Sequence, residues 1–233
     1  MAASWTDYRV FWREFRQHYH TTGAIAPSGR ALAAALARFV GEGDSAPHSQ
    51  PQPSPRQRRI LEVGPGTGAV TTALVRGLGP DDCLDLVELN DSFVAHLRER
   101  FASEPAFRAV ESRSRVLHQP LETLPADASY DLIVSGLPLN NFSVPAVEEI
   151  LATYRRLLRP GGTLSFFEYI AIRRARSLVS GRAERARLRG IGRALDELFA
   201  EGRIARDWVW PNLPPAWVHH VRLPRSGKES VRD

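Results

Sequence analysis

The stretch that decides the fold is "ILEVGPGTGAV", residues 60–70. An apolar run ends at Val63, and glycines follow at positions 64, 66 and 68 before a helix-forming segment begins. Such glycines permit a tight turn and let the backbone approach a nucleoside closely. The stretch therefore predicts a buried strand, a ligand-binding loop and the first helix of a doubly wound α/β sheet.

Alternating strand and helix patterns continue along the chain. Further strands are predicted in "CLDLVEL" (83–89), "SRVLHQ" (114–119), "YDLIVSG" (130–136) and "TLSFFEYI" (163–170). Helices are predicted in "DSFVAHLRERFAS" (91–103), capped by Asp91, in "PAVEEILATYRRLL" (145–158), ended by Pro160, and up to about residue 200. Residues 203–210 and 216–222 are expected to form a closing antiparallel pair. This order predicts a mostly parallel, Rossmann-like α/β sheet with helices on both faces.

The chain before residue 60 has a different character. Residues 4–20 are expected to form an amphipathic helix, whose basic face lies opposite a stripe of aromatic side chains: Trp5, Tyr8, Trp12, Phe15 and Tyr19. A second helix is predicted from an N-cap at Ser28 to about Phe39. We therefore expect N-terminal helices (1–40), a flexible proline-rich linker (41–59), an α/β domain (60–223) and a disordered tail (224–233).

The composition narrows the classes of binding partner and the cellular compartment that we expect. The formal net charge is +5, and 30 of the 31 basic residues are arginine. A basic surface favours nucleic acid or an acidic membrane face, although the base composition of a genome also explains an arginine bias. Cys83 is the single cysteine, so no internal disulfide forms and a reducing, cytoplasmic setting is expected. We find neither a secretory signal pattern nor an apolar run of about 18 residues, which predicts a chain that does not span a membrane.

Two ligands are compatible with the glycine loop. Gly64, Gly66 and Ala69 satisfy a loose dinucleotide fingerprint, so a dehydrogenase remains open. Glu62 favours S-adenosylmethionine instead, because an acid beside the loop attracts sulfonium and ammonium groups and repels a diphosphate. Glu88 ends the next strand, where such sheets place the acid that accepts the ribose hydroxyls.

Several motifs resemble known methyltransferases. "ILEVGPGTGAVT", "LVELN" and "LRPGG" resemble class I methyltransferases in general, whereas "TTGAIAPSGRALA" (21–33) and "VSGLPLNNF" (134–142) resemble the bacterial phospholipid N-methyltransferases. "FFEYIAIRRAR" (166–176) is similar to ornithine lipid N-methyltransferases within that group. The resemblance implies a seven-stranded class I fold preceded by amphipathic helices. It also implies stepwise N-methylation of a membrane aminolipid, with ornithine lipid ahead of phosphatidylethanolamine.

The resemblance also implies which residues hold the donor. It assigns S-adenosylmethionine to a pocket lined by Glu62, Gly64, Gly66 and Gly68, with Glu88 at the ribose. Gln119 and Ser135 are two further candidates for this pocket. The acid that the family carries after the third strand is absent, because His118 and Gln119 stand there. A contact to the adenine at this place must therefore come from the backbone or from Gln119.

The acceptor site is expected in "LPLNNF" and "FFEYI". Asn140 or Asn141 can orient the amine, Glu168 can attract its proton, and Phe142 or Tyr169 can face the methylated cation. Methyl transfer to nitrogen needs a neutral amine, which is why a carboxylate at the carboxyl edge of the sheet suits the reaction. No metal is expected, since His219-His220 has no carboxylate or cysteine at ligand spacing.

Three functional alternatives remain at this point. A lipid enzyme suits the aromatic stripe and the arginine-rich segment 173–193, which are expected to meet an anionic membrane and make the protein peripheral on the inner face of the cytoplasmic membrane. The stripe can equally pack on the domain or cover its pocket. An RNA adenine methyltransferase has an Asn and an aromatic around Leu-Pro, where Gly136 and Leu139 stand here, so no nucleic acid is expected. The third alternative is a non-catalytic, membrane-bound S-adenosylmethionine-binding module.

Overall fold

The computed structural model describes residues 27–41, 57–125, 127, 129–169, 181–210 and 215–224. These residues contain one sheet of seven strands. The strands are β1 (Arg59–Val63), β2 (Cys83–Glu88), β3 (Ser114–His118), β4 (Tyr130–Ser135), β5 (Leu158–Tyr169), β6 (Arg203–Val209) and β7 (Ala216–Arg222). The seven-stranded α/β fold expected from the sequence is confirmed.

Helices connect most of the strands. In chain order they are α1 (Pro27–Leu36), α2 (Arg38–Gly41), α3 (Ala69–Gly77), α4 (Asp91–Ser103), α5 (Pro105–Arg108), α6 (Val144–Leu157) and α7 (Arg182–Gly202). Short 3-10 turns lie at Glu111–Arg113, Leu121–Thr123 and Leu139–Asn141. Among the described residues, none of these helices has the length and apolar character needed to cross a bilayer.

The strand order is β3-β2-β1-β4-β5-β7-β6. β1 to β5 are parallel, and β7 runs antiparallel to both β5 and β6, which confirms the predicted closing pair. The order reverses between β1 and β4. In open α/β sheets, ligands bind at the carboxyl ends of the strands beside such a reversal.

Each face of the sheet carries its own hydrophobic core. The odd positions of β1, Leu61 and Val63, pack with α6 and α7, whose Ile150 and Leu195 belong to the same cluster. Ile60 faces the other way and packs with α1, α3 and α4 through residues such as Leu36 and Leu97. This alternation follows from the two-residue period of a strand, and it brings helices to both faces as predicted.

Helix boundaries differ from the sequence predictions in three places. The cap of α4 is Asn90, whose side chain accepts hydrogen bonds from the amides of Ser92 and Phe93, and not Asp91. α1 begins at Pro27, so Ser28 lies inside the first turn and not at an N-cap. The helix predicted to reach Phe39 ends at Leu36, and α2 follows after one residue. Proline is favoured at the first helical position because it has no amide hydrogen to leave unpaired.

Several sequence predictions lie outside the described residues. They are the aromatic helix at 4–20, most of the linker (42–56), the first eight residues of the arginine-rich segment (173–180) and the tail from 225 onward. The ends of the expected linker are described. Gly41 closes α2 and Arg59 opens β1.

Candidate active site

The glycine loop joins β1 to α3 at the carboxyl edge of the sheet. Gly64, Gly66 and Gly68 all have positive φ angles, of 68°, 56° and 80°. At Gly68 a Cβ would also lie 2.4 Å from an Nη atom of Arg100, so that side chain would have to shift. The loop thus needs glycine for its backbone conformation, as the sequence predicted.

Glu62 lies beneath this loop and is fully buried. Its Oε2 accepts a hydrogen bond from the Thr71 hydroxyl at 2.7 Å. Its Oε1 has no hydrogen-bond partner within the described part of the chain. Burial, more than the charge of Glu88, raises the pKa of Glu62 to about 8. A buried carboxyl with an unpaired oxygen is suited to meet a cationic group.

Glu88 ends β2 beside the same loop. Its Oε2 accepts a hydrogen bond from the Gly66 amide at 3.1 Å, and its Oε1 accepts from the amides of Leu89 and Asn90 at 2.8 and 2.9 Å. Burial raises the pKa of Glu88, while these amides oppose that effect. The bonds fix the orientation of the carboxylate, and each oxygen of a carboxylate can accept a further hydrogen bond.

Arg100 of α4 holds the loop from the side. Its Nη1 lies 2.9 Å from the carbonyl oxygens of both Thr67 and Gly68, and its Nη2 donates to the Thr72 hydroxyl at 2.9 Å. The guanidinium also lies 4.1 Å from the centre of the Phe107 ring. Sequence reasoning did not find Arg100, because it lies more than thirty residues from the loop and its helix is otherwise charged on its exposed side.

The end of β4 approaches the glycine loop very closely. The Gly136 amide donates to the Val63 carbonyl at 2.8 Å. A Cβ at Gly136 would lie 2.6 Å from the Gly64 carbonyl oxygen, so a residue with a side chain does not fit here. Ser135 is fully buried, and its hydroxyl bonds with the Tyr154 hydroxyl at 2.7 Å. The Ser135 hydroxyl therefore positions this strand end on α6.

The segment after Gly136 forms the 3-10 turn at Leu139–Asn141. Asn140 is buried and Asn141 is half-buried. Arg187 of α7 donates to the carbonyl oxygens of Asn140, at 3.0 Å, and of Phe142. The Phe142 side chain is buried in the hydrophobic core, where it is not available to face a cation. Arg187, which sequence reasoning also missed, ties this turn to the helix.

Glu168 and Tyr169 end β5, the strand next to β4. The Glu168 side chain is 10 % exposed, and its Oε2 lies 3.6 Å from Nε2 of the buried His219. The ring of His219 packs between Phe166 and Phe199, with centroids 5.4 and 4.6 Å away, and neither of its nitrogens has a hydrogen-bond partner among the described residues. The side chain of Tyr169 points to the face of the sheet opposite to that of Glu168, and its ring contacts the Phe167 ring edge-on.

The structure therefore brings the candidate residues to one edge of the sheet. Glu62, Glu88, Asn140 and Glu168 all lie at or just after the carboxyl ends of strands, and the half-buried Gln119 follows β3 at the same edge. His219 and His220 contact residues on opposite faces of the sheet, Phe199 and Ser165 respectively. For that reason they cannot ligate one metal ion together.

Comparison with known families decides the chemistry. Residues 60–162 match the family model of a methyltransferase domain. These residues form a class I, S-adenosylmethionine-dependent methyltransferase domain. The match covers the glycine loop, Glu88, the turn at Leu139–Asn141 and α6. A dehydrogenase, which the glycines alone left open, is thereby set aside.

Individual relatives of the methyltransferase differ in how much they share with it. The ornithine lipid N-methyltransferase of Singulisphaera acidiphila is 28% identical over 159 residues, which are 68% of this chain and 76% of that protein. The ribosomal RNA small subunit methyltransferase A of Parasynechococcus marenigrum is 35% identical over 102 residues, or 44% of this chain and 32% of that protein.

A solved structure confirms the fold of the methyltransferase. The 1,6-didemethyltoxoflavin-N1-methyltransferase of Burkholderia thailandensis, with bound S-adenosylhomocysteine, matches with a TM-score of 0.61 and 18% identity. The match covers 96% of this chain and 92% of that one.

The site residues of the methyltransferase fit its donor. S-adenosylmethionine supplies an electrophilic methyl group on a sulfonium. The unpaired Oε1 of Glu62 suits a cation of this ligand, and the glycine loop leaves its backbone open beside it. We expect Glu62 and the loop to hold the methionine part and Glu88 to accept from the ribose.

Proposed function

We propose that the methyltransferase methylates the amine of a membrane lipid head group, and that ornithine lipid is its first candidate acceptor. The observation that carries this proposal is the extent of the similarity to the ornithine lipid N-methyltransferase. That alignment covers 159 residues and therefore extends beyond residues 60–162, whereas the alignment to the RNA methyltransferase covers 102. The similarity thus includes parts of the chain outside the generic donor-binding domain.

The geometry at the ends of β4 and β5 supports an amine acceptor. β4 lies between β1, which leads into the donor loop, and β5, which carries Glu168 next to its last residue. An acceptor above β4 therefore lies between the donor and a carboxylate. Asn140 and Asn141 follow β4 at the same place and supply side-chain amides that can orient it.

The chemistry requires loss of a proton before methyl transfer. A lipid amine with a lysine-like pKa of about 10 is mostly protonated at neutral pH. In the proposed reaction, Glu168 attracts the ammonium group and accepts its proton. The neutral nitrogen would then attack the methyl carbon of the donor in line, so that the N–C bond forms as the C–S bond breaks and S-adenosylhomocysteine leaves. Each product is a more substituted cation, which an adjacent aromatic face would hold at about 0.5–2 kcal/mol. Tyr169 was the expected ring, but its side chain lies on the face opposite to that of Glu168.

An RNA acceptor is the alternative that the sequence relatives raise. In this backbone, position 136 has no room for the Asn that the RNA enzymes of the resembling type carry, because a Cβ would meet the Gly64 carbonyl at 2.6 Å. Leu139 is also buried and presents no stacking platform. Phosphatidylethanolamine remains a second lipid acceptor, since it offers the same primary amine on a diacyl anchor.

Lipid extracts test the proposal. Cells that make ornithine lipid and phosphatidylethanolamine express either the wild-type chain or Glu168→Gln, and the extracts are compared by mass spectrometry. We expect mono-, di- and trimethylated ornithine lipid with the wild-type chain and a strong loss with Glu168→Gln. Unchanged lipids together with newly methylated RNA, or with a methylated hydroxyl group, would overturn the proposal.

A further inference from the structure

Three tryptophans form an exposed aromatic surface on β6 and β7. Trp208 is 57% exposed and Trp210 is 69% exposed. The ring of Trp208 lies 5.4 Å from that of Trp210 and 5.1 Å from that of the half-buried Trp217. We call Trp208, Trp210 and Trp217 the tryptophan surface. Exposed aromatic rings in mutual contact indicate an interaction site.

The tryptophan surface adjoins the candidate acceptor site. Trp208 is paired with Trp217 across β6 and β7, and Trp217 is paired with Glu168 across β7 and β5. Paired residues of neighbouring strands point to the same face of a sheet. The tryptophan surface therefore lies beside Glu168, at the edge of the sheet where an acceptor must enter.

The charge around the tryptophan surface is positive. The guanidinium of Arg206 lies 4.3 Å from the centre of the Trp217 ring. Arg206 and Trp208 alternate with Asp207 along β6, so both lie on the face of the tryptophan surface. Asp207 points to the opposite face, where it pairs with Arg38. α7 begins near the same edge, where its Arg187 binds the turn after β4. The first half of this helix exposes four arginines: Arg182, Arg185, Arg189 and Arg193.

This combination identifies the chemistry of the partner. Indole rings partition into the head-group region of a bilayer, and guanidinium groups next to them bind lipid phosphates. We propose that the tryptophan surface inserts into the head-group region of an anionic bilayer and brings the carboxyl edge of the sheet against the lipid. This inference rests on the proposed function, because it gives a bilayer-anchored acceptor a direct path to Glu168.

Vesicle binding tests the inference. The full chain, Trp208→Ala/Trp210→Ala and Trp208→Phe/Trp210→Phe are titrated with phosphatidylglycerol–phosphatidylcholine vesicles that carry brominated acyl chains, which quench tryptophans that insert. We expect the alanine pair to bind about tenfold more weakly and the phenylalanine pair to keep most of the affinity. Ile204→Ser is the control, because Ile204 is also an exposed large apolar residue on β6 but lies near the opposite end of the strand, and its affinity should not change.

Activity measurements distinguish a failure of this inference from a failure of the proposed function. The alanine pair should lose activity on ornithine lipid in vesicles and keep it on the same lipid in detergent micelles, with donor affinity unchanged. Equal vesicle affinity of the alanine pair and the wild type, an equal loss from Ile204→Ser, or an equal loss in micelles would overturn the inference. Binding of RNA oligonucleotides in place of vesicles through these tryptophans would also overturn it. A wild-type chain that methylates no lipid in micelles would instead refute the proposed function.

Discussion

The hydroxyl of Thr71 donates a 2.7 Å hydrogen bond to one oxygen of Glu62, and burial leaves the other oxygen unpaired among the described residues. Burial also raises the pKa of this carboxyl to about 8, so it is mostly protonated at neutral pH before the donor binds. A cation that binds beside it stabilises the carboxylate form. The donor site therefore contains an acid whose charge depends on whether the site is filled.

Stability should change with pH through Glu62. Its folded-state pKa lies above its ordinary value, so its contribution to stability is greatest below about pH 4 and declines as the pH rises to about 8. Glu62→Gln keeps a hydrogen-bonding oxygen and cannot ionise. The melting temperature of ligand-free Glu62→Gln, relative to that of the wild type, should therefore be higher at pH 9 than at pH 6. A difference that is the same at both pH values would contradict the burial of this carboxyl.

Loss of Arg100 should weaken donor binding. Arg100→Met removes the hydrogen bonds to the carbonyl oxygens of Thr67 and Gly68 and leaves the loop free to change conformation. Hydrogen bonds to a charged group contribute about 1.5–3 kcal/mol, so the Kd for S-adenosylhomocysteine should rise about tenfold or more in calorimetry. Arg98→Met, on the exposed side of the same helix, is the control and should bind as the wild type does. Equal affinities of the two variants for S-adenosylhomocysteine would show that the loop does not need the hydrogen bonds from Arg100 to bind the donor.

Arg187 should affect the acceptor and not the donor. Arg187→Met removes the hydrogen bonds to the carbonyl oxygens of Asn140 and Phe142. These bonds hold the turn after β4 against α7. We expect lower turnover of the lipid and an unchanged Kd for the donor. Arg185→Met, on the exposed side of the same helix, should retain the turnover when the lipid is supplied in detergent micelles, where binding to a bilayer plays no part. An equal fall in donor affinity would mean that the turn belongs to the donor pocket.

Gly136 should tolerate no side chain. Gly136→Ala places a Cβ 2.6 Å from the Gly64 carbonyl oxygen and forces β4 away from the glycine loop. Overpacking of this kind costs about 1–3 kcal/mol, which thermal unfolding detects, and donor affinity should fall with it. Gly29→Ala lies in α1 with no atom within 4 Å of the added Cβ, so it should leave the melting temperature the same or raise it. A fully stable Gly136→Ala would refute the close approach.

The fold could be predicted from local patterns. The strands at 59–63, 83–88 and 130–135 are apolar runs bounded by glycine, proline or charged residues, and the closing pair at 203–209 and 216–222 flanks a proline-rich stretch of sequence. These signals depend only on residues that are neighbours in the sequence, so they can be recognised without a structure. The caps were less predictable, because Asn90 and Asp91 both can cap a helix and only the end of β2 decides between them.

The candidate site could be predicted only in part. Glu62, Glu88 and the glycines follow from a loop motif. By contrast, Thr71, Arg100, Arg187 and His219 act through contacts that tertiary packing creates. Arg187, for example, meets Asn140 across 47 residues of sequence. Ser135 was expected in the donor pocket from its place at a strand end, and the sequence did not indicate that its hydroxyl bonds with Tyr154.

The most direct measurement compares two acceptors that share one amine. Purified protein is given labelled S-adenosylmethionine with ornithine lipid in detergent micelles, or with free ornithine in water. Our account predicts methylated lipid, little methylated ornithine, and a loss of lipid methylation in Glu168→Gln. Methylation of free ornithine at the same rate, with no lipid surface present, would contradict the claim that the acceptor is anchored in a bilayer.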